Sequence, residues 1–254
     1  MKTLRVIESG PGAPADNMAF DEKLLDEAED LVLRLYQWQP YAVSLGYFQR
    51  PDASLLAELK QAGLPCVRRM TGGGAILHAD ELTYSLAGPE THAPFDGDVE
   101  NSYRFVHDAI LEALRDYADS FDTNADFPVD MNADFPVDMN ADFPVGYARA
   151  APRALRHSEQ PFLCFARSTA LDLVAKGRKL VGSAKRRRRG RALQHGSILL
   201  SPHPRQPEAI TLAELWPKAP SAQDLGRRLA TTIGAKLNRV PRFENGNSAE
   251  HPRP

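Results

Sequence analysis

The chain is poor in cysteine: its 254 residues hold only Cys66 and Cys164, too few for a disulfide framework. No run approaches the roughly 18 apolar residues of a membrane helix, and the opening residues lack the apolar stretch of a secretory leader. Net charge is −2, so no overall positive excess exists to grip a polyanion. No His, Cys or carboxylate pair has zinc spacing, and neither a Walker loop nor GxGxxG is matched. What is present, 43% hydrophobic and 25% charged residues, suits an ordinary globular domain with a core that needs no staples. The expected setting is a reducing cytoplasm, with no metal and no membrane partner.

Charge is unevenly placed. Six aspartates lie between Asp122 and Asp142 with no basic residue among them, and six basic residues fall in Lys185–Arg191. The acidic part repeats NADFPVDM from Asn124, Asn132 and Asn140. A period of eight is too short for solenoid units, and each copy carries a proline that interrupts regular structure. Calcium loops would need a glycine and a terminal glutamate that are missing. Residues 124–152 therefore read as a surface insertion in one domain over 1–240, with a loose tail over 241–254.

Elsewhere strand-like and helix-like segments alternate. Strands are expected over 4–9, 31–38, 41–48, 66–70 and 75–86, with 31–38 and 41–48 as neighbours joined at Gln39-Pro40. Helices are expected after Asp16 or Asn17, over 54–62, over 99–117 and over 222–237, the third having the clearest helical spacing. Further strands fit 162–165, 170–175 and 192–200. This mixed α/β pattern lacks the regular βαβ repeat of a Rossmann fold.

Three stretches carry chemistry. Thr71-Gly72-Gly73-Gly74, flanked by Arg69 and His78, allows close backbone approach to a ligand, though a tight hairpin would use the same residues. Cys164 is either a buried inert thiol or a nucleophile, and a nearby cation such as Lys179 would favour its thiolate. Cys66 has no such company. Gly182-Ser183-Ala184 suits close approach, and His195, beside glycine at a strand start, is a general base or a hydrogen-bonded structural histidine. The Lys185, Arg186, Arg187, Arg188, Arg189 and Arg191 run fits nucleic acid or an acidic protein. No aromatic residue interleaves with it, so base stacking is unsupported.

Four segments resemble the lipoate/biotin protein ligase superfamily, in particular its cysteine-dependent octanoyltransferases. They are Asn17-Met18-Ala19-Phe20-Asp21-Glu22; Arg68 through the glycine loop to His78; Glu81-Leu82-Thr83-Tyr84-Ser85; and Cys164 through Gly182-Ser183-Ala184 to Gln194-His195-Gly196-Ser197-Ile198-Leu199-Leu200. The resemblance covers 4–200, and more weakly 211–237. It implies a fold of the class II aminoacyl-tRNA synthetase and biotin synthetase type, a mixed sheet flanked by helices and holding an acyl tunnel. It implies Cys164 as acyl-accepting nucleophile, Lys179 as its partner, and Arg69, Thr71, Gly72, Gly73, Gly74, His78, Gly182, Ser183, Ala184 and His195 around the substrate.

The implied reaction moves octanoyl from the phosphopantetheine arm of acyl carrier protein to a lysine of a lipoyl domain or glycine-cleavage H protein. It requires no ATP or other cofactor, and the basic run docks the acidic carrier. Two alternatives stand beside it: an ATP- and Mg-dependent lipoate-protein ligase acting through lipoyl-adenylate, and a non-catalytic binder of carrier or lipoyl domains. Gly74 stands where the transferases often have arginine, as in the ligases. The cysteine, and the few residues after Leu200 where ligases often carry an accessory domain, favour the transferase. The octapeptide insertion has no counterpart in the family pattern.

Overall fold

Leu4 and Val6 alternate with exposed Thr3 and Arg5, which makes the first strand, β1 (Lys2–Gly12), one-sided at its start. The computed structural model describes residues 1–120, 143–148, 164–166 and 168–246. Helix α1 (Pro14–Glu27) begins with proline at its first position and has no side-chain cap. Asn17, expected as a possible cap, instead donates to the Gly12 and Gln37 carbonyls from inside the helix.

Strand β2 (Val32–Trp38) follows, and the chain then turns at Gln39-Pro40 into a separate sheet. There β3 (Ala42–Leu45) lies between β4 (Cys66–Arg68) and β5 (Ile76–His78), with helix α2 (Ala53–Gln61) connecting β3 to β4. Segments 31–38 and 41–48 are thus not neighbours. Both edges of β2 are already taken, by β1 in parallel and by β6 (Glu81–Pro89) in antiparallel pairing. The single strand expected over 75–86 is two, divided at Ala79-Asp80, where the chain passes from the small sheet to the large one.

Helix α3 (Val99–Ala118) is capped by Asp98, which accepts from the Asn101 N–H. After β7 (Gly146–Tyr147) comes a short 3-10 turn, Cys164–Ala166, in place of the expected strand. Strands β8 (Leu173–Ala175), β9 (Arg178–Arg188) and β10 (Arg191–Leu199) complete one side of the large sheet. Helices α4 (Leu212–Leu215) and α5 (Ala222–Lys236) lead to β11 (Arg239–Asn245). The eight strands run in the order β11-β1-β2-β6-β10-β9-β8-β7. No described helix is long and apolar enough to cross a membrane. The octapeptide repeats lie outside the described residues.

Both faces of this sheet are covered. Leu33, Leu35, Leu82 and Leu86 pack with Ile110 and Leu114 of α3 and Leu229 and Ile233 of α5. Val32, Ala87 and Leu193 face the other way, onto Leu24 and Leu25 of α1. The β2–β6–β10 centre is therefore rigid, and it holds the side chains described below.

The loose tail expected from 241 is corrected by β11, which runs parallel to β1 from Lys2↔Arg239 to Glu8↔Asn245. Its sequence, Arg-Val-Pro-Arg-Phe-Glu-Asn, hides the strand because one edge is open and proline is tolerated there. Arg239 closes the edge, donating to both Asp30 oxygens at 2.7 Å and to the Thr3 carbonyl, and these bonds hold the Asp30 carboxyl below its usual range. Ending the chain at Asn238 is expected to lower the melting temperature by roughly 5 °C or more, since each kcal/mol moves Tm by about 2–4 °C in a domain of this size. Circular dichroism melts would check this.

Candidate active site

Cys164 sits where the 3-10 turn meets β5, its N–H donating to the Ala75 carbonyl at 2.7 Å. Lys179, the second residue of β9, reaches to 3.6 Å from its Sγ. The lysine is only 3% exposed, and a buried ammonium needs a partner. Asp172 supplies it, with Oδ2 at 3.0 Å from Nζ. The same oxygen accepts from the Thr169 N–H at 2.7 Å and its hydroxyl at 3.1 Å, which fixes the carboxylate. The Phe165 ring lies 5.3 Å from Nζ on a further side.

Gly182 completes the enclosure. A Cβ there would stand 2.5 Å from Lys179 Cε and 2.9 Å from Nζ, so the absent side chain is the space that the lysine occupies. Gly182→Ala is expected to push the amine away from Cys164 and lower activity roughly 100-fold, the scale set by misplacement of about 1 Å. Because the obstacle is a flexible side-chain end, Tm should move by no more than about 2–4 °C. Steady-state rates and melts of one preparation would separate the two effects.

The glycine loop is held by Arg69, which donates to the Gly72 carbonyl at 2.8 Å, the Gly74 carbonyl at 2.6 Å and the Ser44 carbonyl at 3.0 Å. Gly73 has φ +94, and a Cβ on Gly46 would meet the Gly73 carbonyl oxygen at 2.0 Å. The loop therefore presses onto bare backbone.

His78 joins Glu81 at 2.7 Å and Ser44 Oγ at 2.7 Å, and stacks on Trp38 with centroids 3.8 Å apart. Burial pushes its imidazole below the usual value, against the pull of Glu81. His195 contacts Thr71 Oγ1 at 2.7 Å and Asp21 at 2.9 Å. Burial alone would raise the Asp21 carboxyl, but the His195 hydrogen bond and the Arg34 guanidinium hold it below its ordinary range. Arg69, Gly72, Gly73, His78, Gly182, Ser183, Ala184 and His195 line one cleft with Cys164, about 420 Å³ including its mouth. Thr71 acts from behind, through His195.

Asp172 was not foreseen. Its signal is an acid inside the apolar run Leu171-Asp172-Leu173-Val174, three residues after a threonine. Asp21, Arg34 and Tyr36, joined behind His195, were also missed as a group.

The basic run is no single patch. Arg188 pairs with Glu22 and Asp26, while Arg191 donates to the Ala28 carbonyl. On the opposite face Lys185 donates to Ser102 Oγ and Arg187 to the Phe95 and Gly97 carbonyls. Burial, with the Arg187 charge, brings Lys185 down to about 8. Arg186 lies 5.1 Å from the Tyr47 ring, and Arg189, with φ 52, makes the β9–β10 turn with Gly190.

Beneath the pair, His107 of α3 is fully buried, and that burial takes its imidazole down to about 4. The unfolded chain therefore binds a proton that the native state refuses as pH falls from about 6.5 towards 4, so stability declines through that window and is intact above it. Between about pH 7.5 and about pH 5 this residue alone should remove about 2 kcal/mol. His107→Asn should flatten that part of the slope in urea unfolding at the two pH values.

A half-buried thiol lining a narrow cleft, with a buried amine beside it and a buried carboxylate on that amine, is an arrangement suited to group transfer. The family profile described as the lipoyl protein ligase A/B catalytic domain matches residues 13–214, and the chain belongs to that family. Octanoyltransferase LipM of Staphylococcus aureus is 35% identical over 205 residues, 78% of this chain and 66% of that protein. LipM of Geobacillus kaustophilus is 34% identical over 259 residues, covering 95% of this chain and 85% of its own. By sequence the chain groups with the octanoyltransferases of the family. Protein Ta0514 of T. acidophilum, solved with bound lipoic acid, has the same fold: TM-score 0.67 at 20% identity over 96% of this chain and 89% of that one.

Proposed function

We propose that the chain moves octanoyl from acyl carrier protein, through a thioester on Cys164, to a lysine of a lipoyl domain or of glycine-cleavage H protein, without ATP. The observation that carries this reading is the Lys179 ammonium 3.6 Å from the Cys164 sulfur, held by a buried carboxylate. A cation so placed favours the thiolate, the nucleophilic form.

The thiolate attacks the donor carbonyl, a new C–S bond forms, the pantetheine C–S bond breaks, and the leaving thiolate takes a proton from the Lys179 ammonium. One thioester replaces another, so no activation by ATP is needed. The acceptor amine then attacks, the Cys164 C–S bond breaks, an amide forms, and the amine's proton passes to Lys179, which restores the thiolate and ammonium. The Cys164 N–H is committed to Ala75, so the nucleophile's own amide is not free to stabilise the oxyanion. The donor we assign to that carbonyl is Lys179, whose Nζ lies 3.6 Å from the sulfur.

Carrier docking falls to the cations whose charge is not cancelled. Among the described residues Arg188 is neutralised by two carboxylates, while no ion pair joins Arg186, Arg187 or Arg189, which are left for an acidic partner with support from Lys185 and Arg191.

The test is intact mass after mixing with octanoyl-carrier protein and no ATP. A hydroxylamine-sensitive octanoyl adduct is expected, absent in Cys164→Ala; an adduct persisting in that variant overturns the nucleophile. No adduct, with ATP and free lipoate modifying a lipoyl domain, would establish the ligase. Neither product would establish a non-catalytic binder.

A further inference from the structure

Among the buried residues of α3 most are apolar, Val106, Ala109, Ile110, Leu111 and Leu114 included. His107 breaks the pattern at 0% exposure, where a polar ring costs free energy unless every polar atom is bonded. Both are. Nδ1 meets the Leu171 carbonyl, and Nε2 lies 2.7 Å from Ser183 Oγ. A carbonyl only accepts, so Nδ1 carries the proton. Nε2 of the neutral ring then accepts from the Ser183 hydroxyl. That hydroxyl oxygen in turn takes the proton of Tyr84 OH at 2.6 Å, and Tyr84 accepts from Gln194 Nε2 at 3.2 Å. The chain of donors has one consistent direction, ending on the Leu171 backbone.

The two anchor points have a common meaning. Leu171 immediately precedes Asp172, the carboxylate partner of Lys179, and Ser183 immediately follows Gly182, whose bare Cα makes room for Lys179. One ring therefore ties together the two backbone segments that confine the amine. The ring itself meets Tyr103 edge-on, centroids 6.2 Å apart, and Tyr147 at a tilt of 37° and 6.3 Å.

We propose that His107 is a positioning residue for the Cys164–Lys179 pair, clamping Leu171 and Ser183 so that Asp172 and Gly182 hold the amine against the sulfur. The inference rests on the reading of Cys164 and Lys179 as the reacting pair. His107 itself touches neither. Without the clamp the 171–172 backbone loses its side-chain anchor in α3, and the Lys179 amine follows Asp172 away from sulfur.

The experiment measures alkylation of Cys164 by iodoacetamide across pH, followed at the Cys164 peptide by mass so that Cys66 does not contribute. It is paired with single-turnover acylation by octanoyl-carrier protein. His107→Phe is expected to move the alkylation midpoint to higher pH and slow acylation about 10- to 100-fold, with KM for the carrier within about twofold. His107→Asn, whose amide can replace the Nδ1 donor, should recover most of the rate, and Ser183→Ala should fall between. A His107→Phe profile and acylation rate equal to wild type would overturn the inference. Should His107→Phe fail to fold, the Asn and Ala variants decide by the same readouts, and wild-type values in both overturn it. If wild type alkylates normally but forms no acyl-enzyme, the proposed reaction fails, and the alkylation profiles still judge the clamp.

Discussion

A charged amine placed almost wholly out of water governs this site. Lys179 at 3% exposure is tolerable only because Asp172 meets it at 3.0 Å and because that carboxylate is itself bonded by Thr169. Each requirement propagates. The carboxylate needs a turn with fixed backbone, the amine needs space, and the space needs glycine at 182. Apolar residues of similar volume would pack as well without any of this, since buried ion pairs rarely add net stability. The ensemble is therefore better explained by what the amine does to its neighbouring sulfur than by what it does for the fold.

The sheet divides the labour between its faces. On the α1 side, His195, Asp21, Arg34 and Tyr36 form a bonded series that reaches the glycine loop through Thr71. On the α3 side, Tyr84, Ser183 and His107 support the segments around Lys179. Strand β10 supplies His195 to one series and Gln194 to the other, because consecutive strand residues point to opposite faces. The glycine loop and the Cys164–Lys179 pair are thus located by the same rigid strands from opposite sides.

Much of this was legible in the sequence, and the failures have physical causes. Helices α3 and α5 declare themselves by helical spacing of apolar residues over four or more turns. The family resemblance pointed to Cys164, Lys179 and the loop, because their chemistry is carried by residue type in contiguous segments. Asp172 and the Asp21 series were not visible as partners. Asp21 meets His195 across 174 positions of chain, and no local pattern encodes such a distance. Strand β11 escaped because an exposed edge does not demand apolar alternation. Of the strand expected over 162–165, the described Cys164 and Phe165 lie in a 3-10 turn, since apolar character marks burial and not conformation.

The basic run shows most clearly how structure reinterprets composition. Six cations within Lys185–Arg191 read as one patch, yet they occupy a β-hairpin, where a period of two assigns them to alternate faces. Arg186 and Arg188 share the face of Gly182 and Ala184, and so continue outward from the cleft. Lys185 and Arg187 share the face of Ser183 and fasten the strand to the start of α3 and the segment before it. Hydrogen bonds to carbonyls leave the charge of Arg187 in place, whereas Glu22 and Asp26 cancel that of Arg188. Arg186 instead lies beside Tyr47, whose backbone N–H donates to the Thr71 carbonyl at the root of the glycine loop. A single strand thereby runs from the buried amine of Lys179 to the half-buried guanidinium of Arg186 beside Tyr47.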